Sequence, residues 1–299
     1  MKNNGISKDP DTHGELVSFR TEDGVRLHGA LFTNSRAPAR DVAVIGTHGA
    51  ANSFYGSVTG FVSPGLATLG YPTLSMNLRC HDRAYSTSIF EDCEKDFAAG
   101  VAFLKEQGYR KFVLFGHSLS VTQILYYMAQ RKEPSVVGLA LSAGHDDLRR
   151  DIARSWETLA DDPQAAYEAV LKECRDMVAR GDGDRLMIIP WWRPDPKLNL
   201  RQTYREISAQ TFLSYRSPES KCNASAWIGK VTTPMLMIAH SVVDTTASPE
   251  MMRILHRLAT ASEATEYLEI EGSGHFYVGF EDRLVNDIAG WIERLPAGR

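Results

Sequence analysis

Apolar residues in the first half of the chain form short, nearly continuous runs separated by longer segments with helical spacing. The runs at 41–49, 71–77, 111–115 and 135–143 each have the length and composition of a buried strand. The segment 90–108 repeats its apolar positions every three or four residues, as an amphipathic helix does. This alternation predicts an α/β protein with a mostly parallel central sheet and helices on both faces.

Two further segments extend the predicted sheet. Residues 15–33 predict a β-hairpin, because two stretches with alternating apolar positions flank the turn Glu22-Asp23-Gly24. Towards the other end, the strand and helix alternation resumes with strands at 234–239 and 266–270, followed by a final helix.

The interval 147–233 breaks this alternation. It contains two strongly helical stretches at 146–160 and 163–181, a Pro- and Trp-rich passage at 187–200 and another helical piece near 201–215, and no strand with clear alternation. A segment of roughly 80 residues is too long for an ordinary loop. We therefore predict a helical lid inserted after the sixth strand of a core formed by residues 1–146 and 234–299.

Composition excludes several classes of function. The 299 residues carry a net charge of −4 with no basic block, which argues against a nucleic-acid partner. The four cysteines are widely spaced without the CxxC pairs of a zinc site, so we expect reduced thiols. Nothing in the sequence requires a metal or an organic cofactor, and we expect neither. The amino terminus lacks the apolar core of a secretion signal, and no apolar run is long enough to span a membrane. These features predict a cytoplasmic protein.

The stretch VLFGHSLS at 113–120 joins a predicted strand to a predicted helix through Gly116, Ser118 and Ser120. A nucleophilic serine on a sharp strand–turn–helix elbow has this context, in which the residues two positions before and after it must be small. Ser120 occupies the second of these positions, where glycine is usual. The match predicts that Ser118 is a nucleophile, provided that partners follow it along the chain.

Those partners are present in the order that one scaffold requires. Asp244 follows the strand at 234–239, and His275 lies in a Gly-rich turn after the strand at 266–270. Serine, acid and histidine thus each follow a strand at the edge where parallel sheets place their active sites. On these motifs the chain resembles an α/β-hydrolase over nearly its whole length. Asp146, which follows an earlier strand, is the second candidate for the acid.

The resemblance implies a role for each site residue. His275 would take the proton of Ser118, and Asp244 would orient the His275 ring and stabilise its cation. The N–H groups of Ala50, in the loop after the 41–49 strand, and of Leu119, directly after the nucleophile, would form the oxyanion hole.

Other histidines and aromatic residues lie near these motifs in the sequence or in the predicted lid. For the histidines, packing is an alternative to substrate contact, and the lid aromatics can serve as its core or line a cavity. The predicted substrate-binding residues are His48, His81, His117, Trp191, Trp192 and Tyr204.

A serine nucleophile makes dehalogenation, which in this family uses an aspartate, improbable. The resemblance then favours a carboxylic-ester hydrolase acting on a small-molecule ester. The lid is similar to lids of bacterial hydrolases and fungal siderophore esterases, which suggests a bulky, apolar or cyclic ester such as a macrolide-type lactone. The alternatives are a hydrolase of carbon–carbon bonds in ring-cleavage products and a ligand sensor with little turnover. The oligomeric state is not indicated.

Overall fold

The elements of the first half follow the predicted order. The computed structural model describes residues 9–38, 40–56, 58–149, 152–191, 202–242 and 247–295. The first elements are β1 (Thr12–Arg20), β2 (Arg26–Asn34), β3 (Val42–Thr47), α1 (Thr59–Thr68), β4 (Thr73–Met76), α2 (Cys93–Glu106), β5 (Lys111–His117), α3 (Leu119–Arg131) and β6 (Val136–Ser142).

The second half contains the insertion and the last two strands of the main sheet. Its elements are α4 (Pro163–Ala179), β7 (Leu186–Pro190), β8 (Tyr204–Ser208), α5 (Ala209–Arg216), α6 (Ser225–Ile228), β9 (Met235–His240), α7 (Pro249–Leu258), β10 (Thr265–Ile270) and α8 (Glu281–Glu293). Short 3₁₀ helices lie at Asp82–Thr87 and Ile152–Trp156.

Eight strands form one sheet in the order β1-β2-β4-β3-β5-β6-β9-β10. The β2 strand pairs antiparallel with both of its neighbours, and all other pairs are parallel. The mostly parallel sheet predicted from the sequence is therefore confirmed. Because parallel strands end at a common edge, the loops after β3, β4, β5, β9 and β10 gather at one side of the molecule.

The sheet separates two hydrophobic cores, as the strand period of two requires. In β5, Phe112 and Leu114 point into the core that contains residues of α2 and α3. Val113 and Phe115 point into the opposite core, which contains residues of α1 and α8. Burying each such side chain contributes about 1.5–3 kcal/mol, so helices on both faces hold the central strands in place.

The insertion lies between β6 and β9, after the sixth strand, and packs on the core of α2 and α3 through residues such as Phe212 and Tyr215. It is not wholly helical, because β7 and β8 pair as an antiparallel ribbon. The prediction that this interval contains no strand was wrong. The stretch predicted as helical at 146–160 contains a short 3₁₀ helix, and the piece predicted near 201–215 is the strand β8 followed by α5. All five residues of β7 are apolar although Ile188 is 78% exposed, so the sequence shows no alternation.

Two further features are the state of the cysteines and the character of the helices. All four cysteines are buried and unpaired, as expected for reduced thiols. Within the described residues, no helix has both the length and the apolar character that crossing a membrane requires.

Candidate active site

Ser118 lies in the turn between β5 and α3. Its backbone has φ 58° and ψ −120°, a combination that residues other than glycine rarely adopt. The Ser118 N–H donates to the Ser142 carbonyl at 2.9 Å, which ties the strained turn to β6. The turn therefore holds the hydroxyl of Ser118 just beyond the end of β5, at the edge where the loops gather.

Small residues on both sides allow this turn to close. A Cβ atom at Gly116 would lie 2.6 Å from Ile124 Cδ1 and 3.1 Å from the backbone of Ser120. Ser120 itself is buried, and its hydroxyl lies 2.5 Å from Thr47 Oγ1. Because Thr47 donates to the Phe115 carbonyl at 3.0 Å, Ser120 is the donor of the pair. A hydrogen bond to β3 thus accommodates the serine that replaces the usual glycine.

His275, in the turn after β10, reaches the Ser118 hydroxyl. The distance from His275 Nε2 to Ser118 Oγ is 3.2 Å, within hydrogen-bond range. His117 lies beneath this ring and holds its main chain, since His117 Nε2 donates to the His275 carbonyl at 2.9 Å. The two ring centroids are 4.8 Å apart. His117 is therefore placed as a support for His275.

The surroundings keep His275 neutral. Burial lowers the pKa of His275 well below its usual 6.5, and nearby His117, His145 and His240 lower it further. The same loss of solvent lowers the pKa of His117 to about 4. A neutral imidazole with a free lone pair on Nε2 is the form that can accept a proton from a hydroxyl.

The predicted acid, Asp244, lies outside the described residues, but the chain just before it is fixed near His275. The N–H groups of Ser241 and Val242 both donate to the Ser273 carbonyl, at 3.1 and 3.0 Å. Ser241 Oγ also accepts from the Gly272 N–H at 2.7 Å. The loop after β9 is thus bound to the loop that carries His275.

The alternative acid, Asp146, is buried beyond the end of β6, where its main-chain carbonyl accepts from Ser225 N at 2.9 Å. Among the described residues, His275 Nδ1 has no hydrogen-bond partner. The groups that shift the pKa of His275 are three histidines, and no described carboxylate is among them.

His48 braces the loop after β3. Its Nε2 accepts from the Leu78 N–H at 3.1 Å, so Nδ1 carries the proton and donates to the Gly49 carbonyl at 2.8 Å. Burial lowers the pKa of His48 to about 4, which keeps this neutral form. Both ring nitrogens of His48, one of the predicted substrate-binding residues, are thus hydrogen-bonded to the main chain.

This loop brings Ala50, one of the two predicted oxyanion donors, close to Ser118. The other donor, Leu119, directly follows Ser118 in the chain. A Cβ atom at Gly49 would lie only 3.0 Å from Ser118 Cβ, so loop and nucleophile are in close contact. Ala50 follows Gly49, and Leu119 begins α3. Among the described residues, neither the Ala50 nor the Leu119 N–H donates a hydrogen bond. Both donors therefore remain available to a ligand.

The remaining predicted substrate-binding residues lie on the loop after β4 and on the insertion. His81 is partly exposed, and its Nδ1 lies 3.1 Å from Asp82 Oδ2. Tyr204, at the start of β8, is 56% exposed and lines a cleft. Trp191 packs edge-on against Tyr85 with ring centroids 5.6 Å apart. Trp192 lies outside the described residues.

Two clefts flank the loop after β3. The first, of about 400 Å³, is lined by Ala51, Asp82, Arg83, Ser86, Tyr204, Arg205 and Glu206. The second, of about 450 Å³, is lined by Asn52, Phe61, Phe276, Val278 and Glu281. Since Ala51 and Asn52 are adjacent, the loop separates a charged cleft under the insertion from a more apolar cleft beside His275.

Backbone strain is concentrated at this edge of the molecule. Among the described residues, six that are not glycine have positive φ angles, and all except Lys132 lie in loops after sheet strands. Positive φ costs such residues of the order of 1–3 kcal/mol each, and it clusters at functional sites. The five strained loop residues are Ala51, Asp82, Ser118, Ala143 and Tyr277.

Two arginines of the insertion were missed in the sequence. Arg205 and Arg216 both stack on Trp191, with guanidinium carbons 4.7 and 4.4 Å from the ring centroid. Nothing in the local pattern distinguishes them from surface arginines, because their common partner lies in a different segment. Within the described part of the chain, no group of three or more His, Cys, Asp or Glu side chains is arranged to hold a metal ion.

Comparison with known proteins supports the fold. The model of a family described as the alpha/beta hydrolase family matches residues 44–287. No curated protein matches the chain.

Several solved structures share the fold. The esterase Pf2001 from Pyrococcus furiosus is 18% identical with a TM-score of 0.65, covering 99% of this chain and 96% of that one. The alpha/beta hydrolase GrgF from Penicillium sp. sh18 is 18% identical with a TM-score of 0.72, covering 95% and 99%. Est1E from Butyrivibrio proteoclasticus, with ferulic acid bound, is 15% identical with a TM-score of 0.69, covering 94% and 100%. The predicted α/β-hydrolase fold is confirmed.

Proposed function

Because the chain belongs to the alpha/beta hydrolase family, we propose that it is a serine hydrolase that cleaves carboxylic esters through an acyl-enzyme. The observation that carries this proposal is the 3.2 Å contact between His275 Nε2 and Ser118 Oγ on a strained elbow. A hydroxyl becomes a strong nucleophile when an adjacent base removes its proton during attack. Two of the similar folds are described as an esterase from Pyrococcus furiosus and a ferulic acid complex of Est1E.

The proposed reaction assigns each step to one group. As Ser118 Oγ attacks the ester carbonyl, its proton moves to His275 Nε2 and the carbonyl oxygen becomes an anion. The Ala50 and Leu119 N–H groups stabilise this anion, and one such donor typically lowers the activation barrier by about 3–4 kcal/mol. His275 then gives its proton to the leaving alcohol, and the acyl group remains on Ser118.

Water completes the cycle by the reverse sequence. His275 takes a proton from water as the hydroxide attacks the acyl carbon, and then returns that proton to Ser118 Oγ as the carboxylic acid departs. Asp244 is the residue that we assign to His275 Nδ1, because the loop after β9 is bonded to the loop that carries His275. A carboxylate there would hold the required tautomer and stabilise the imidazolium.

The clefts support a substrate with two sizeable parts. Volumes of about 400 and 450 Å³ on either side of the loop after β3 allow the acyl part and the alcohol part to extend in opposite directions. A bulky ester, including a macrocyclic lactone, matches this shape better than a small acetate ester does. Its apolar part would lie against Phe61 and Phe276 in the second cleft.

The test is hydrolysis of p-nitrophenyl esters of increasing chain length and of macrocyclic lactones, with labelling by a fluorophosphonate. We expect turnover by the wild-type protein, a covalent label on Ser118, and loss of both in Ser118→Ala. Ser18→Ala is the matched control, since it removes an exposed hydroxyl on β1, far along the sheet from Ser118 and His275. Turnover that survives in Ser118→Ala, or a wild-type protein that is neither labelled nor active, would exclude the proposed mechanism.

A further inference from the structure

Arg205, on β8, and Arg216, at the end of α5, share one aromatic partner. Their guanidinium carbons lie 4.7 and 4.4 Å from the Trp191 ring centroid, and that of Arg205 also lies 5.2 Å from the Tyr85 ring. Stacking of this kind is favourable, but it uses only the face of a guanidinium. The N–H donors at its edge still require acceptors.

Those donors have no acceptor in the part of the chain that the structure describes. Among the described residues, neither Arg205 nor Arg216 forms an ion pair or donates a side-chain hydrogen bond, and Arg216 Nε is buried without a partner. The Tyr85 hydroxyl is likewise buried without a partner. By contrast, Arg149 on the same insertion donates to both carboxylate oxygens of Asp147 at 2.9 Å and to the Pro218 carbonyl. An unpartnered buried donor is costly, which indicates that a ligand completes this group.

The carboxylates of the neighbouring cleft are already engaged. Glu206 lies 2.5 Å from Arg83, across the cleft. Asp82 lies 3.1 Å from His81 Nδ1 and also accepts from the Tyr55 hydroxyl at 3.4 Å. The charge of Glu206 still acts on Arg205 and raises its pKa, but the hydrogen bond of this carboxylate goes to Arg83 and not to Arg205.

The charge is also poorly solvated. Burial lowers the pKa of Arg205, and the charge of Arg216 lowers it further. An anion that contacts both guanidinium groups would offset the repulsion between them and replace solvent that Arg205 has lost.

We propose that Arg205 and Arg216 bind a carboxylate carried by the ester substrate, an inference that rests on the proposed ester hydrolysis. Arg205 lines the same cleft as Ala51, which lies two residues beyond Gly49 and its contact with Ser118. An ester whose carbonyl is at Ser118 can thus extend through this cleft and end in a carboxylate at the arginines. Planar carboxylates match the fork of guanidinium donors, and such charge-assisted pairs are strong.

The kinetic test compares mono-p-nitrophenyl esters of succinate, glutarate and adipate with neutral p-nitrophenyl esters of the same chain lengths. We expect wild-type kcat/KM to be at least about tenfold higher for one acidic ester than for its neutral match, with the advantage falling as salt increases. Arg205→Gln and Arg216→Gln should each lower kcat/KM about 10- to 100-fold for that acidic ester. Their rates on the neutral ester should change less than about threefold.

A matched control separates this site from general effects of charge. Arg175 belongs to the same insertion but pairs with Glu219 at 3.0 Å on the exposed surface, so Arg175→Gln should behave as wild type on both esters. Equal loss on acidic and neutral esters in the Arg205 and Arg216 variants would overturn the inference. So would a wild-type protein without preference for any acidic ester.

A binding measurement separates failure of this inference from failure of the proposed function. Calorimetric titration of Ser118→Ala with glutarate and adipate needs no turnover, and the same titration is repeated after adding Arg205→Gln. Binding that depends on Arg205 in a protein that hydrolyses no ester would support the anion site and refute the esterase. Hydrolysis of neutral esters without any dicarboxylate binding would support the esterase and refute the anion site.

Discussion

The hydroxyl of Ser120 lies 2.5 Å from Thr47 Oγ1, inside the turn that positions Ser118. This bond links β3, whose loop carries the proposed oxyanion donor Ala50, to the start of α3. The position that usually holds glycine therefore contributes a connection between the two halves of the proposed oxyanion hole.

Removing one member of this pair should destabilise the protein. Thr47→Val leaves the buried Ser120 hydroxyl without an acceptor and the Phe115 carbonyl without that donor, at an expected cost of about 1–3 kcal/mol. Urea unfolding measures this loss in the free energy of unfolding. The double variant Thr47→Val with Ser120→Ala removes both hydroxyls and should recover part of the loss, and strictly additive losses would show that the two residues do not interact.

The two candidate acids should differ in their effect on turnover. Asp244→Asn should lower kcat by about 10⁴-fold, because an amide can stabilise the wrong tautomer of His275 and cannot balance an imidazolium. Asp146→Asn should leave kcat of the folded protein within about tenfold of wild type. Stopped-flow or steady-state kinetics on a p-nitrophenyl ester, with thermal melting as the check on folding, distinguish them. The reverse order of effects would assign the acid to Asp146.

The pH dependence of kcat/KM should reflect the buried state of His275. A base must be neutral to act, and burial with three neighbouring histidines lowers the pKa of His275 well below 6.5. We therefore expect kcat/KM to stay level as the pH falls through 6.5 and to decline only in more acidic solution. His145→Asn removes one of these neighbours and should move the decline towards higher pH. A wild-type decline centred at or above pH 6.5 would contradict this account.

The stability of the fold should fall in acid partly because of His48. Its folded pKa of about 4 lies below the usual 6.5, so the unfolded chain binds the extra proton first and stability decreases as the pH falls between these values. Between pH 7.5 and 5.5 the loss from this residue is about 1.3 kcal/mol. His48→Gln removes the titrating group, so the gap in unfolding free energy between wild type and variant should shrink by that amount.

A constant gap would mean that His48 does not titrate in this range. Glutamine is the suitable replacement because its amide carries both a donor and an acceptor, as the neutral imidazole does. The comparison is made by urea unfolding at each pH, so contributions from other groups cancel between the two proteins.

The parts of the structure that could be predicted are those that depend on local sequence patterns. The elbow at Ser118 and the turn at His275 follow strands whose apolar runs are unmistakable, and the chain order brings them to one edge. The strand β7 was missed because its residues are uniformly apolar while Ile188 is exposed. Its identity as a strand depends on pairing with β8, more than ten residues later.

Contacts between segments that are distant in the sequence could not be predicted from it either. His48 was identified as a residue near the site, but its role as a brace depends on the Leu78 N–H, 30 residues away. The stack of Arg205 and Arg216 on Trp191 joins three elements of the insertion, and only the tryptophan stood out by its type. Periodicity identifies which elements form, whereas a side chain's partner depends on how those elements pack.

The positive φ angles at Ala51, Asp82, Ser118, Ala143 and Tyr277 have a consequence for directed evolution. Glycine adopts such angles without steric penalty, so a screen for heat resistance alone should accept glycine at several of these positions. At Ser118 that exchange removes the proposed nucleophile, and at Ala51 it loosens the loop beside it. Variants selected for thermostability without a substrate should therefore become more stable and lose hydrolase activity.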